Sequence, residues 1–226
     1  MAKYFAVAPD SIEVVKDYAT MADLYNSRKQ SDSAVYFYKK AIDVDKDSAE
    51  LVNYYKILAG IFKTEKNYGQ QAYWLGKYCT LNSYATNVDL FNWGISYYLN
   101  KDYQQSDSVF AKYADKYPEQ DFGYYWRARS NAAIDTSMDL GLAIPHYKKV
   151  IEIAGKDTLN ATNRKHLIEA YGYLAAFEAN HDKNYETAID YFEKLLNLDP
   201  SNDNARKYID ILKKNLAKKD EATTGS

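Results

Sequence analysis

Few residues in this 226-residue sequence have the types and spacings that chemistry requires. Residues 43–47, Asp-Val-Asp-Lys-Asp, alternate carboxylates in the manner of a calcium loop. Such a loop next needs Gly at its sixth place and a bidentate Glu at its twelfth. Those places hold Ser48 and Tyr54, so the metal reading fails. The stretch reads instead as an acidic helix end followed by a cap. Asp47 can accept from the first turn of the next helix, and Glu50 can reach back three residues as in a capping box. His146, His166 and His181 are scattered and are expected as surface or packed side chains rather than ligands. Cys79, the one cysteine, excludes an intrachain disulfide and a cysteine zinc site. Its apolar-aromatic context, GKYCTL, points to a buried, inert thiol. Asn160-Ala-Thr162 is a glycosylation sequon, a pattern that often arises by chance. H-E-x-x-H, G-x-S-x-G and a phosphate-binding glycine loop are absent. The expectation is a protein that is not an enzyme and uses no cofactor or metal.

Charge and composition narrow the class further. Twenty-nine basic residues balance 31 acidic ones, for a net charge of -2. That balance carries no basic stripe for nucleic acid. No apolar run approaches the ~20 residues of a membrane span, and no signal-peptide core is present. The compartment expected is the cytoplasm, or an exported location if a targeting segment precedes Met1. Only 9 Gly and 4 Pro interrupt the chain, whereas Tyr reaches 24. Long periodic segments with few breakers indicate an all-α protein, and the tyrosines supply contacts that are apolar along the ring and polar at the tip.

Those segments repeat. Asp10-Ser-Ile-Glu13 returns as Asp47-Ser-Ala-Glu50, 37 residues later. Tyr18, Met21, Ala22 and Tyr25 form a helical stripe, followed by Ala34, Tyr38 and Ala41 on a second helix. The pattern recurs as Tyr55, Leu58, Ala59, Phe62 with Gln71, Leu75, Tyr78. It recurs again as Leu90, Trp93, Gly94, Tyr97 with Ser106, Phe110, Tyr113 and a closing Pro118. In all three units nine residues separate the last stripe position of the first helix from the first of the second. A fourth unit is irregular: Tyr124, Ala128, Asn131, then Ala143, Tyr147, Val150, its second helix expected to begin close to Pro145. The fifth has Tyr171, Leu174, Ala175, then Ala188, Phe192, Leu195 and Pro200, its first helix lengthened toward Asn160.

These residues resemble the tetratricopeptide repeat, whose signature is W-x2-L-G-x2-Y…A-x3-F…P with a period near 34. The resemblance implies an all-α superhelix, or solenoid, of about five helical hairpins. The units are bounded at 10–46, 47–83, 84–118, 119–157 and 158–200, forming a single domain over 10–219. A C-terminal capping helix covers 201–219, with Ser201 as its cap and Ala205, Tyr208, Ile209 and Leu212 as its apolar stripe. Residues 220–226 are expected to be a disordered tail. The opening AKYFAVAP, residues 2–9, matches AKYADKYP, residues 111–118, at Tyr and Pro. Residues 1–9 are therefore read as the tail of a truncated preceding repeat. The small residues Ala22, Ala59 and Gly94 let the two helices of a hairpin approach to roughly 8–10 Å.

In this family the first helices line a concave groove that holds a peptide or a partner's helix. Carried over by position, the inner places are Ala19, Asp23 and Asn26, then Lys56, Gly60 and Lys63. Next come Phe91, Ile95 and Tyr98, then Tyr125 and Arg129, then Gly172, Ala176 and Ala179. A Lys-Asn clamp for chaperone carboxylates is absent, because Ala19 and Asp23 occupy its places. Lys56, Lys63, Phe91, Tyr98, Tyr125 and Arg129 combine aromatics with cations, a surface suited to an unidentified protein or peptide with acidic and apolar groups. The function expected is a non-catalytic interaction scaffold. Glycan capture, as in bacterial proteins with similar repeats, and a purely architectural role in a larger protein are the alternatives.

Overall fold

The structure is a computed structural model and describes residues 12–224. The readings placed on residues 1–11, including the truncated repeat and the Asp10 cap, lie outside the described residues. Every regular element within 12–224 is an α-helix.

The chain divides into two compact units, one ending at Lys101 and the other beginning at Asp102. The N-terminal unit holds α1 (Ile12–Ser27), α2 (Ser31–Val44), α3 (Ser48–Thr64), α4 (Tyr68–Leu81) and α5 (Asn87–Leu99). Its packing is sequential: α1 with α2, α2 with α3, α3 with α4 and α4 with α5. Ala22, Ala34, Tyr38, Ala41, Leu58 and Ala59 are buried along these seams. Small residues at 22, 34, 41 and 59 let the helices close on one another while Tyr38 and Leu58 fill the remaining volume. Gly76 does the same job against α5, since a Cβ there would stand 3.2 Å from the Trp93 ring. Tyr25 and Phe37 stack at 5.4 Å.

The turns within hairpins share one device. Lys29 (φ 57) and Lys66 (φ 57) adopt the left-handed conformation just beyond α1 and α3. The following amides donate back across the turn, Gln30 N–H to the Tyr25 carbonyl and Asn67 N–H to the Phe62 carbonyl. This is the Schellman closure of a helix end, with Lys where Gly is usual. Helix starts are capped by side chains. Asp47 accepts from Ala49 N–H, as expected. The Asp47 amide, however, donates to Asp45 Oδ1 at 2.8 Å, taking the role anticipated for Glu50. A capping box instead joins Thr86 and Asp89 at the start of α5.

The C-terminal unit holds α6 (Tyr103–Lys116), α7 (Asp121–Ile134), α8 (Ile144–Ala154), α9 (Ala161–Asn180), α10 (Tyr185–Leu198) and α11 (Asp203–Thr224). Consecutive helices again pack in order. Pro145 lies in the first turn of α8, where its missing N–H costs nothing. Asn160 caps the 20-residue α9 by accepting from Thr162 and Asn163 N–H. At the α6–α7 seam a Cβ on Gly123 would stand 2.9 Å from the Ala114 backbone nitrogen, so only glycine permits that approach.

The last helix differs from expectation at both ends. Ser201 does not cap it; its hydroxyl donates to Asp199, and Asn202 accepts from Ala205 N–H instead. The helix continues to Thr224, so residues 220–224 are helical rather than disordered. Ala205, Ile209 and Leu212 pack on Ala188, Phe192 and Leu195 of α10. Tyr208 stays half open, stacked on Phe192 at 5.5 Å.

Candidate partner-binding surfaces

Four of the six residues singled out from the sequence fall in the N-terminal unit. Lys56 and Lys63 are exposed on α3, and Phe91 and Tyr98 are half-buried on α5. Lys56 is already engaged. Its ammonium donates to Tyr78 Oη at 3.2 Å, stands 3.5 Å from Asp89 Oδ1 and lies over the Tyr78 ring. The hydrogen bond to Tyr78 raises Lys56 above the ordinary lysine value against the pull of partial burial. Burial alone would push the Asp89 carboxyl up. The Thr86 amide and hydroxyl, together with Lys56, outweigh it and leave Asp89 below the usual carboxylate value.

The other two fall in the C-terminal unit, and one is not at a surface. Tyr125 is only 7% exposed. Its ring stacks on His166 at 3.7 Å and its hydroxyl donates to Glu169 Oε2 at 2.6 Å. It is an interior residue, which corrects the reading of it as part of an open groove. Glu169 also accepts from Tyr147 Oη at 2.9 Å and faces Arg129 Nε at 3.3 Å. Arg129 in turn covers the Trp126 ring at 4.8 Å. Beside this cluster, His166 Nδ1 and Asp121 Oδ2 are buried 2.6 Å apart.

The sequence reading missed Asp89, Asp121 and Glu169, and anticipated His166 only as a surface or packed side chain, which is buried against Tyr125. One signal was available: Thr-x-x-Asp at 86–89 is a capping-box pattern. His166 and Glu169 are three apart and so share a helix face. Nothing in the local sequence pairs His166 with Asp121, which is 45 residues away.

A groove of about 860 Å³ opens in the N-terminal unit between α1, the α2–α3 turn and α3. Two inner places named from the sequence, Ala19 and Asp23, line it. Asp45, Asp47 and Glu50 add three carboxylates against the two ammonium groups of Lys16 and Lys46. Asp23 accepts from Tyr38 Oη at 2.6 Å. Tyr54, at the same groove, is pushed up to about 12 by burial and by the charges of Asp45, Glu50 and Asp23. The groove is thus an anionic slot with apolar walls, able to take a cationic side chain.

Among the described residues no group of three or more His, Cys, Asp and Glu is arranged to hold a metal ion. No helix among them is long and apolar enough to cross a membrane.

Comparison with known proteins places this architecture. Tetratricopeptide-repeat family models match residues 90–119 and 173–202. The C-terminal part of a TPR repeat-containing protein from Cytophaga hutchinsonii superposes with a TM-score of 0.64 at 29% identity, over 91% of this chain and 77% of that one. YrrB, described as a TPR protein with an unusual peptide-binding site, gives 0.54 at 15% identity, over 84% of this chain and 89% of its own. MamA from Desulfovibrio magneticus RS-1 gives 0.51 at 16% identity, over 84% and 97%. The last two likenesses concern the fold alone. No curated protein sequence matches. The repeated hairpins, their sequential packing and these matches agree: the chain is a tetratricopeptide-repeat protein, an all-α helical-repeat solenoid.

Proposed function

We propose that the protein is a non-catalytic scaffold that binds another polypeptide along the first helices of its hairpins. In the N-terminal unit the contact is the groove between α1 and α3. The observation that carries this reading is the groove's lining, in which the inner places Ala19 and Asp23 adjoin Asp45, Asp47, Glu50 and Tyr54. Its excess of carboxylates calls for a segment bearing Lys or Arg. The acidic partner expected from the sequence is less well served, because Lys56 already faces Asp89 and Arg129 already faces Glu169. Lys63, Phe91 and Tyr98 extend the contact within the same unit, the rings offering apolar area and Lys63 an exposed charge. A peptide site described for YrrB, of the same fold, is consistent with such a role.

Selection of a random peptide library on the immobilised protein tests the reading. Enriched peptides are expected to carry Lys or Arg. Asp23→Asn with Glu50→Gln is expected to weaken them by about tenfold at low salt, with less effect as salt rises. Phe91→Ala with Tyr98→Ala is expected to weaken binding while leaving helicity unchanged. Failure of any peptide to enrich, alongside a saturable signal on an oligosaccharide array, would overturn the proposal in favour of glycan capture.

A further inference from the structure

A second cavity, of about 450 Å³, lies between the second helices of the first two hairpins, α2 and α4, with Tyr55 of α3 contributing to its wall. It is separate from the groove and has no lining residue in common with it. Three observations define its chemistry. First, Trp74 lines it, is 6% exposed, and among the described residues its buried indole N–H has no acceptor. So covered a donor is out of reach of an occupant, and Trp74 serves the cavity as an apolar wall. Second, Lys39 enters the lining from α2 and Lys77 from α4. Lys39 lies 6.0 Å from the Trp74 ring and Lys77 lies 5.7 Å from the Tyr73 ring. Among the described residues neither has a carboxylate at ion-pair distance, in contrast to Lys56 and Arg129. Asp43 is the single acid in the lining, so the cavity is net cationic. Third, its aromatic surface is unsuited to stacking a sugar ring. Trp74 is covered, and Tyr73, half exposed, meets it edge-on at 86°.

We propose that this cavity docks a carboxylate side chain of an acidic polypeptide segment whose neighbouring residue is apolar. The carboxylate is neutralised by Lys39 and Lys77 beside the Trp74 wall. The apolar neighbour packs on Ile42 and Tyr55, while Gln70 at the rim offers an amide to the segment's backbone. The assignment is independent of the anionic groove, which calls for the opposite charge.

The test titrates the ¹⁵N-labelled protein with the peptide Ac-Leu-Glu-Leu-Glu-NH2 and follows the assigned Trp74 indole resonance. A saturable shift of this reporter is expected as the neighbouring cavity fills. It should weaken by about tenfold with Ac-Leu-Gln-Leu-Gln-NH2, and equally when the acidic peptide meets Lys39→Gln/Lys77→Gln protein. Asp23→Asn/Glu50→Gln protein should give the full shift, which keeps this result distinct from one at the groove. Absence of a shift, or equal shifts from both peptides, would overturn the proposal. So would indifference to the two lysine substitutions. An equal shift from a galacturonic acid trisaccharide would reassign the cavity to acidic saccharides.

Discussion

In the C-terminal unit Glu169, on the first helix of its hairpin, accepts hydroxyls from Tyr125 and Tyr147 and faces Arg129. In the N-terminal unit Glu50, also on a first helix, borders an open groove, and it makes no side-chain hydrogen bond or ion pair among the described residues. The residue type is the same and the use is opposite. A carboxylate bonded to two phenols and a guanidinium is engaged in holding its own unit together, whereas one left on a groove wall is available to something else. Cationic and aromatic residues follow the same division. Arg129 and Tyr125 are engaged within their unit, while Lys39 and Lys77 lie over rings with no carboxylate at ion-pair distance among the described residues. Residue type and helical position therefore do not identify a binding surface in this chain. What each side chain is already bonded to does.

The largest effect expected from this contrast is on stability. Glu169→Leu would leave the hydroxyls of Tyr125 and Tyr147, 7% and 2% exposed, without their acceptor. A buried group left unsatisfied costs about 1–3 kcal/mol. Two such groups should lower the melting temperature by roughly 5–15 °C in a chain of this size. Glu50→Leu, on an exposed groove wall, should stay within about 0.5 kcal/mol. Thermal melts of the two variants followed by circular dichroism compare them directly, and equal losses would erase the distinction between spent and open carboxylates.

A smaller effect concerns pH and the groove itself. Burial and three nearby carboxylates push Tyr54 up to about 12, so the folded state favours the neutral phenol. An unfolded tyrosine ionises near ~10. The stabilisation from Tyr54 is therefore whole below pH 10 and is lost progressively as the pH rises from 10 to 12. Tyr54→Phe removes the ionising group, so its melting temperature should fall less steeply over that interval than that of the parent. Asp45→Asn with Glu50→Gln removes two of the charges that raise Tyr54, and the alkaline loss attributable to Tyr54 should shrink. Identical alkaline melting curves for the parent and Tyr54→Phe would mean that the groove does not hold Tyr54 in its neutral form.

How much of this could be read from the sequence depends on the distance over which the controlling interaction acts. The hairpins were legible because their determinants are local. Ala22, Ala59 and Gly94 recur at the same place within each first-helix stripe, and all three are buried. Pro145 and Asn160 announced two helix starts by their own backbone and side-chain chemistry. The site was less legible because Tyr125 looks like a groove residue by position and becomes interior through Glu169, 44 residues on. Lys56 looks like a recognition cation until Asp89 takes it up. The cavity between α2 and α4 is defined by Lys39 and Trp74, which meet only once two hairpins have stacked. The end of α11 was misplaced for a simpler reason. Polar, small-residue composition at 220–224 argued for a tail, but a preceding helix can propagate through such residues.

The smallest expected effect separates two kinds of turn, one entered on lysine and one on glycine. Past α3 the chain enters the left-handed region on Lys66 (φ 57), whereas the α7–α8 connection does so on Gly141 (φ 63) as well as on Met138. For a residue with a Cβ that conformation costs about 1–2 kcal/mol, and glycine avoids it. Glycine also frees the unfolded chain, which takes back about 0.4–1 kcal/mol. Lys66→Gly should therefore stabilise the protein by only ~0.5 kcal/mol, a rise of one or two degrees in melting temperature. Gly141→Ala should go the other way, because the new Cβ would enter the same strained region and stand 2.8 Å from Ile144 Cδ1. If Lys66→Gly lowered the melting temperature instead, the lysine would be earning its place through its side chain. The recurrence of Lys at 29, 66, 101 and 183 would then reflect a contact made by the ammonium rather than tolerance of an unfavourable backbone.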